Sequence, residues 1–87
     1  MTDGMPADVR ATLAQLFEEA RVAAKSGETA LAASVLESAE TVVETKLPAG
    51  QRRERLRFGC RQAREALPAG ELAAAYVSAM ERRLPCG

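Results

Sequence analysis

The sequence predicts an all-α fold, a four-helix bundle built from antiparallel helical hairpins within one domain spanning residues 1–87. Three observations carry that expectation. Apolar residues recur at helical spacing along most of the chain, and no segment alternates apolar and polar residues for long enough to make a strand. Helix punctuation is also regular: Met5-Pro6-Ala7-Asp8, Leu47-Pro48-Ala49-Gly50, Leu67-Pro68-Ala69-Gly70 and Leu84-Pro85-Cys86-Gly87 share one pattern. Proline lacks the N–H that a helix interior needs, yet its fixed φ suits the first helical position, so each copy can close one helix and open the next. Together with Gly27 these signals delimit four helices.

Helix 1 is expected from Pro6 to Ser26, with Val9, Leu13, Leu16, Phe17, Ala20, Ala23 and Ala24 on its inner face. Asp8 in the first turn and Lys25 in the last complement the helix dipole. Gly27 fits the left-handed position after the helix, and Glu28 opens helix 2, a connection short enough to force an antiparallel hairpin. Helix 2, Glu28 to Leu47, carries the widest apolar surface of the chain. Leu31, Ala32, Val35, Leu36, Ala39, Val42, Val43 and Leu47 cover roughly 160° of its circumference, which calls for packing from two directions and marks it as the central helix. Glu37, Glu40 and Glu44 line one flank as a solvated acidic edge, and Ser34, Ser38, Thr41 and Thr45 line the next. Helix 3, Pro48 to Leu67, is expected to bury Leu56, Cys60, Ala63 and Leu67. Helix 4, Pro68 to Leu84, is expected to bury Leu72, Tyr76, Ala79 and Met80.

Composition bounds the core. Alanine fills 18 of the 87 positions and aromatics only three, Phe17, Phe58 and Tyr76. Small side chains let helices approach closely but bury little apolar area, so self-association, a homodimer in the simplest case, is an expected source of further burial. The net charge is zero, but residues 1–50 carry −4 and residues 51–87 carry +4. The two halves should attract one another, within a chain or between chains. The first residues show neither the basic region nor the apolar run of a signal peptide, and no stretch is long enough to span a membrane. A soluble cytoplasmic protein with reduced thiols is therefore expected.

A weak internal repeat appears at an offset of 43. Leu13, Ala20, Arg21, Ala23, Gly27, Glu28, Ala30 and Ala32 recur as Leu56, Ala63, Arg64, Ala66, Gly70, Glu71, Ala73 and Ala75. Duplication of a helical hairpin and coincidence in an alanine-rich helical chain both remain open. Within residues 16–39, Ala20 and Gly27 followed by Ala32, Leu36 and Ala39 sit at the spacing of small packing positions, and here the first hairpin resembles a tetratricopeptide repeat, with leucine in place of an aromatic. The period of 43 departs from that family's 34. What the resemblance implies is stacking of helical hairpins and protein binding.

Several chemistries find no support. Histidine is absent, which removes the usual general base, the Ser–His and Cys–His nucleophiles and the commonest transition-metal ligand, so no enzymatic activity is expected. Cys60 and Cys86 alone cannot supply a four-ligand zinc site. Cys60 reads as a small core residue, and Cys86, near the end of the chain, as an exposed thiol able to form an adventitious disulfide. The row of Glu37, Glu40 and Glu44 lacks the Glu-x-x-His partners of carboxylate-bridged metal sites. The isolated glycines make no phosphate loop. No cofactor and no metal are expected.

The strongest departure from plain composition is a run of arginines, Arg52, Arg53, Arg55, Arg57, Arg61 and Arg64, within 13 residues. On a helix, Arg53, Arg57, Arg61 and Arg64 fall within about 80° of one another beside the core stripe. Guanidinium groups offer planar, bidentate donors to carboxylate or phosphate. Three readings follow: a solvated or internally paired face, facing the acids of helix 2; a surface for a protein partner; and a surface for nucleic acid. Phe58 points away from the core face on the far side of the stripe, as Val22 does on helix 1. Such residues touch a neighbour or, since four helices can bury more than one face, belong to the core, and both readings stay open. Arg53, Arg57, Phe58, Arg61 and Arg64 are therefore the candidate partner-binding residues. The expected function is a small non-catalytic helical module for protein interaction or self-association, with a nucleic-acid-associated regulator as the alternative.

Overall fold

A computed structural model describes residues 5–84, and within them the chain forms four α-helices and no strand. They are α1 Ala7–Lys25, α2 Thr29–Lys46, α3 Gln51–Glu65 and α4 Gly70–Arg83. The fourth proline signal, Leu84-Pro85-Cys86-Gly87, lies beyond Leu84 outside the described residues, as does the expectation for Cys86.

The first turn is the one the sequence specifies most fully. Gly27 has φ of 78°, its N–H donates to the carbonyl of Ala24 at 3.2 Å, and the N–H of Glu28 donates to that of Ala23 at 2.9 Å. This pair of bonds is a Schellman closure, which needs a residue that tolerates the left-handed region. The prolines of the next two turns act differently from the expectation. Pro48 ends the helix before it, with Leu47 extended at φ −96° and ψ 143° as a following proline favours, whereas α3 already ends at Glu65, three residues before Pro68. Neither proline opens the helix after it. Helix α3 starts at Gln51 with Gly50 as its cap at φ 156° and ψ −178°, a region almost reserved for glycine, and α4 starts at Gly70. The intervening residues reverse the chain, and buried Leu47 and Leu67 anchor the two turns in the core.

Helix α1 packs on α2 and α4, and α3 packs on the same two neighbours. The result is an up-down-up-down square with Cα extents of 39 × 21 × 17 Å. Every helix is therefore packed from two sides, and α2 has no more central position than the others. Its surplus apolar width remains at the surface, with Leu31 half exposed and Val35 and Val42 only partly buried against the core. Phe17, Leu13, Leu36, Leu56, Val43, Val77 and Cys60 are the largest side chains fully withdrawn from solvent. The Cys60 thiol lies 3.9 Å from the Met80 sulfur, and burial, with a smaller contribution from the negative charge of Glu40, pushes its pKa up to about 12.

Helix α4 is rotated relative to the expected face. Ala73, Ala74, Val77 and Met80 are buried, whereas Leu72 and Tyr76 are exposed and Ala79 is half-buried. Close packing explains the substitution of small for large. At Gly70 a Cβ would collide with the backbone carbonyl of Ala24, so α4 approaches α1 more closely than bulky side chains allow. The larger residues are displaced to the rim.

The internal repeat divides along the same lines. Leu13 with Leu56 and Ala20 with Ala63 occupy equivalent, fully buried positions in α1 and α3. The second-helix matches do not correspond: Gly27 is a turn residue and Gly70 the first residue of α4, while Ala32 is buried and its match Ala75 is exposed.

Candidate interaction surface

The arginine run is presented by α3, whose core residues Leu56, Cys60 and Ala63 fix the helix's rotation and thereby set the position of every other side chain. Arg57, Arg61 and Arg64 fall on the flank facing α2, where helical spacing places Glu44, Glu40 and Glu37 in antiparallel order. The pairs form accordingly. Arg57 Nε donates to Glu44 Oε2 at 3.0 Å, Arg61 Nε to Glu40 Oε2 at 3.1 Å, and Arg64 lies 3.0 Å from Glu40 and 3.7 Å from Glu37. Arg57 also reaches Glu54 at 3.0 Å. The hydrogen bond that Arg57 donates to Glu44, helped by the charge of Glu54, outweighs desolvation and raises the Arg57 pKa above its already high ordinary value. The acidic row of α2 is thus solvated at Glu37 and Glu44, which pair with arginines while remaining exposed, and departs from the expected solvated edge only at Glu40. Glu40 is the one charged residue among the described residues that the fold buries, and two guanidiniums satisfy it.

Arg53 does not join this ladder. Its Nε is buried without a hydrogen bond, 3.8 Å from Glu54, and the residue lines a small recess at the α2–α3 turn with Met5, Leu47 and Pro48. On the outer side of α2 the hydroxyls of Thr41 and Thr45 donate to the carbonyls of Glu37 and Thr41, which satisfies them locally and leaves that flank to solvent.

Phe58 lies outside the core and is 64% exposed, which decides between the two positions the sequence left open. It stands over a groove between α3 and α4 of about 700 Å³, lined also by Tyr76, Met80, Gln62, Arg55 and Arg83. Gly59 opens the floor, since a Cβ there would meet the Met80 side chain. The candidate set therefore separates into three positions: a neutralised ladder of Arg57, Arg61 and Arg64, Arg53 off the ladder with Glu54 as its neighbour, and Phe58 on a different face. Tyr76, Arg55 and Arg83 were missed as neighbours of Phe58. Their spacing alone gives no signal, because the meeting depends on how α4 is rotated against α3.

On the opposite side of the square, α1 and α2 frame a second open groove of about 660 Å³, lined by Val22, Leu31 and Val35 with Glu18, Glu19 and Glu28. Val22 and Leu31 are each 51% exposed. Among the described residues no three His, Cys, Asp or Glu side chains are placed to hold a metal ion, and no helix is long and apolar enough to cross a membrane. What the surface offers chemically is apolar area framed by charge.

Among known proteins, residues 1–86 match the family model described as a domain of unknown function, DUF8101. Neither the curated proteins nor the solved structures contain a match.

Proposed function

The chain belongs to the DUF8101 family, whose description assigns no activity, and from its surface we propose that it is a small non-catalytic interaction module that docks a protein through the α3/α4 face. The observation that carries this reading is Phe58. An aromatic side chain 64% exposed, with Tyr76 beside it and charged residues around it, has the composition of a binding anchor. The arginines contribute support rather than contact. By tying α3 to α2 they hold the helix that presents Phe58.

The pairing of Arg57, Arg61 and Arg64 with carboxylates weighs against the nucleic-acid alternative, because phosphate would have to displace partners already at 3.0–3.1 Å. The same reading places the module in the cytoplasm, where a thiol such as Cys60 stays reduced.

The experiment is site-specific photocrosslinking in cells that express the chain, with a benzophenone amino acid at position 58 and, as control, at exposed position 41 on α2. A discrete adduct of defined mass from position 58 and none from position 41 is expected. Identical patterns from both positions overturn the assignment.

A further inference from the structure

We propose that the occupant of the α3/α4 groove is the α1/α2 groove of a second copy of this chain, so that copies associate head to tail. This rests on the interaction reading above and names its partner. Because α1 and α3 each contact α2 and α4, the α1/α2 and α3/α4 faces are opposite sides of the square. Both carry exposed apolar residues in an open groove: Val22 and Leu31 on one, Phe58 and Tyr76 on the other. Their charges are opposite. Glu18, Glu19 and Glu28 frame the first groove with no base among its lining residues. Arg55 and Arg83 frame the second, and its one acid, Glu54, is already bonded to Arg57.

Among the described residues Glu18, Glu28, Arg55 and Arg83 form no ion pair within the chain, whereas the acids and bases between α2 and α3 are paired throughout the ladder. The charge asymmetry of the two halves is thus only partly spent inside the fold. Part of its remainder lies on the two outer faces.

Symmetry decides between modes of association. Two copies meeting through the same face would set Arg55 and Arg83 against themselves, or Glu18, Glu19 and Glu28 against themselves, and like charges in contact are unfavourable. Unlike faces meet with acids against bases and apolar groove against apolar groove. A face spanning the long and middle dimensions of the bundle offers on the order of 800 Å², the area each partner contributes to a standard stable interface. Such a contact is heterologous, so it continues from copy to copy unless its rotation closes a ring.

The test uses the full chain and two variants, Phe58→Asp and Leu31→Asp, each placing a carboxylate in one groove at a residue at least half exposed. Circular dichroism and the unfolding midpoint first establish that both fold as the wild type does. In sedimentation, the wild type is expected to form concentration-dependent species above its 9.3 kDa monomer mass. Each variant alone should associate at least about 30-fold more weakly, the loss expected of an anchor. An equimolar mixture should form a 1:1 pair and grow no further, because the one intact groove of each variant fits the other and the two altered grooves repel.

If Phe58→Asp is monomeric while Leu31→Asp assembles like the wild type, the contact is isologous through α3/α4. The head-to-tail proposal then falls, while the interaction reading stands. If Leu31→Asp is monomeric and Phe58→Asp assembles, both fall. A wild type that remains monomeric to several hundred micromolar overturns self-association alone, and the adduct formed at position 58 then decides the interaction reading separately.

Discussion

The sharpest prediction compares the two phenylalanines. Phe17 and Phe58 both sit on amphipathic helices, and their burial differs completely: Phe17 is 0% exposed and Phe58 64%. Complete burial of a phenylalanine side chain is worth about 1.5–3 kcal/mol, so the third of Phe58 that is covered contributes about 0.5–1 kcal/mol. Truncation to alanine recovers about 0.5 kcal/mol of helix propensity. Phe58→Ala should therefore change stability by less than about 0.5 kcal/mol. Phe17→Ala removes the largest fully buried side chain and leaves a cavity between α1 and its neighbours, at a cost of about 3–5 kcal/mol. That is a large part of the stability of a domain this small, and should lower the melting temperature by about 12 °C or more. The assay is urea unfolding followed by helical circular dichroism, at a protein concentration low enough that association does not contribute. The reasoning is refuted if Phe58→Ala loses more than about 2 kcal/mol, which would make Phe58 part of the core and α3 buried on a face now read as open.

Other perturbations test the remaining links. Glu40→Gln keeps the shape but removes the charge that Arg61 and Arg64 share; since both guanidiniums retain access to water, the loss should be about 1–2 kcal/mol in urea, and an unchanged midpoint would show that the ladder contributes nothing. Gly70→Ala should destabilise by about 1–3 kcal/mol despite alanine's higher propensity, because its Cβ meets the Ala24 carbonyl; a gain of about 0.5–1 kcal/mol would mean that α4 moves aside freely. Cys60, assayed in a Cys86→Ser background, should react with a disulfide reagent only at the rate of unfolding, and labelling as fast as in denaturant would contradict its burial. With its folded pKa at about 12 against an ordinary 9.0, the folded state holds the thiol proton more tightly. That contribution is fully present below pH 9 and is lost at up to about 1.4 kcal/mol per pH unit as pH rises toward 12. Cys60→Ala should remove that slope from the pH dependence of the urea midpoint.

What the sequence determined by itself is the set of elements and most of their inner faces. Helical periodicity, Gly27 and the prolines gave four helices in hairpins, because each of these signals acts through the backbone of a few neighbouring residues. The inner faces of α1 and α3 were readable because large residues at regular spacing dominate them: Leu13 and Phe17 in one, Leu56 in the other. For Phe58 the sequence placed the side chain opposite that face but left core or surface open, because four helices can bury more than one face; packing decided its exposure.

Tertiary structure decided the rest. Whether the acids of α2 met solvent or the arginines of α3 depended on which helices became neighbours, and charge patterns along one helix do not specify the helix across from it. The inner face of α4 went to Ala73, Ala74 and Val77 rather than to Leu72 and Tyr76, since the close approach of Gly70 to Ala24 rewards small side chains and size alone points the other way. That rotation is what places Tyr76 beside Phe58. Burial is set by the distance between helices, a property of the pair, and neither helix encodes it alone.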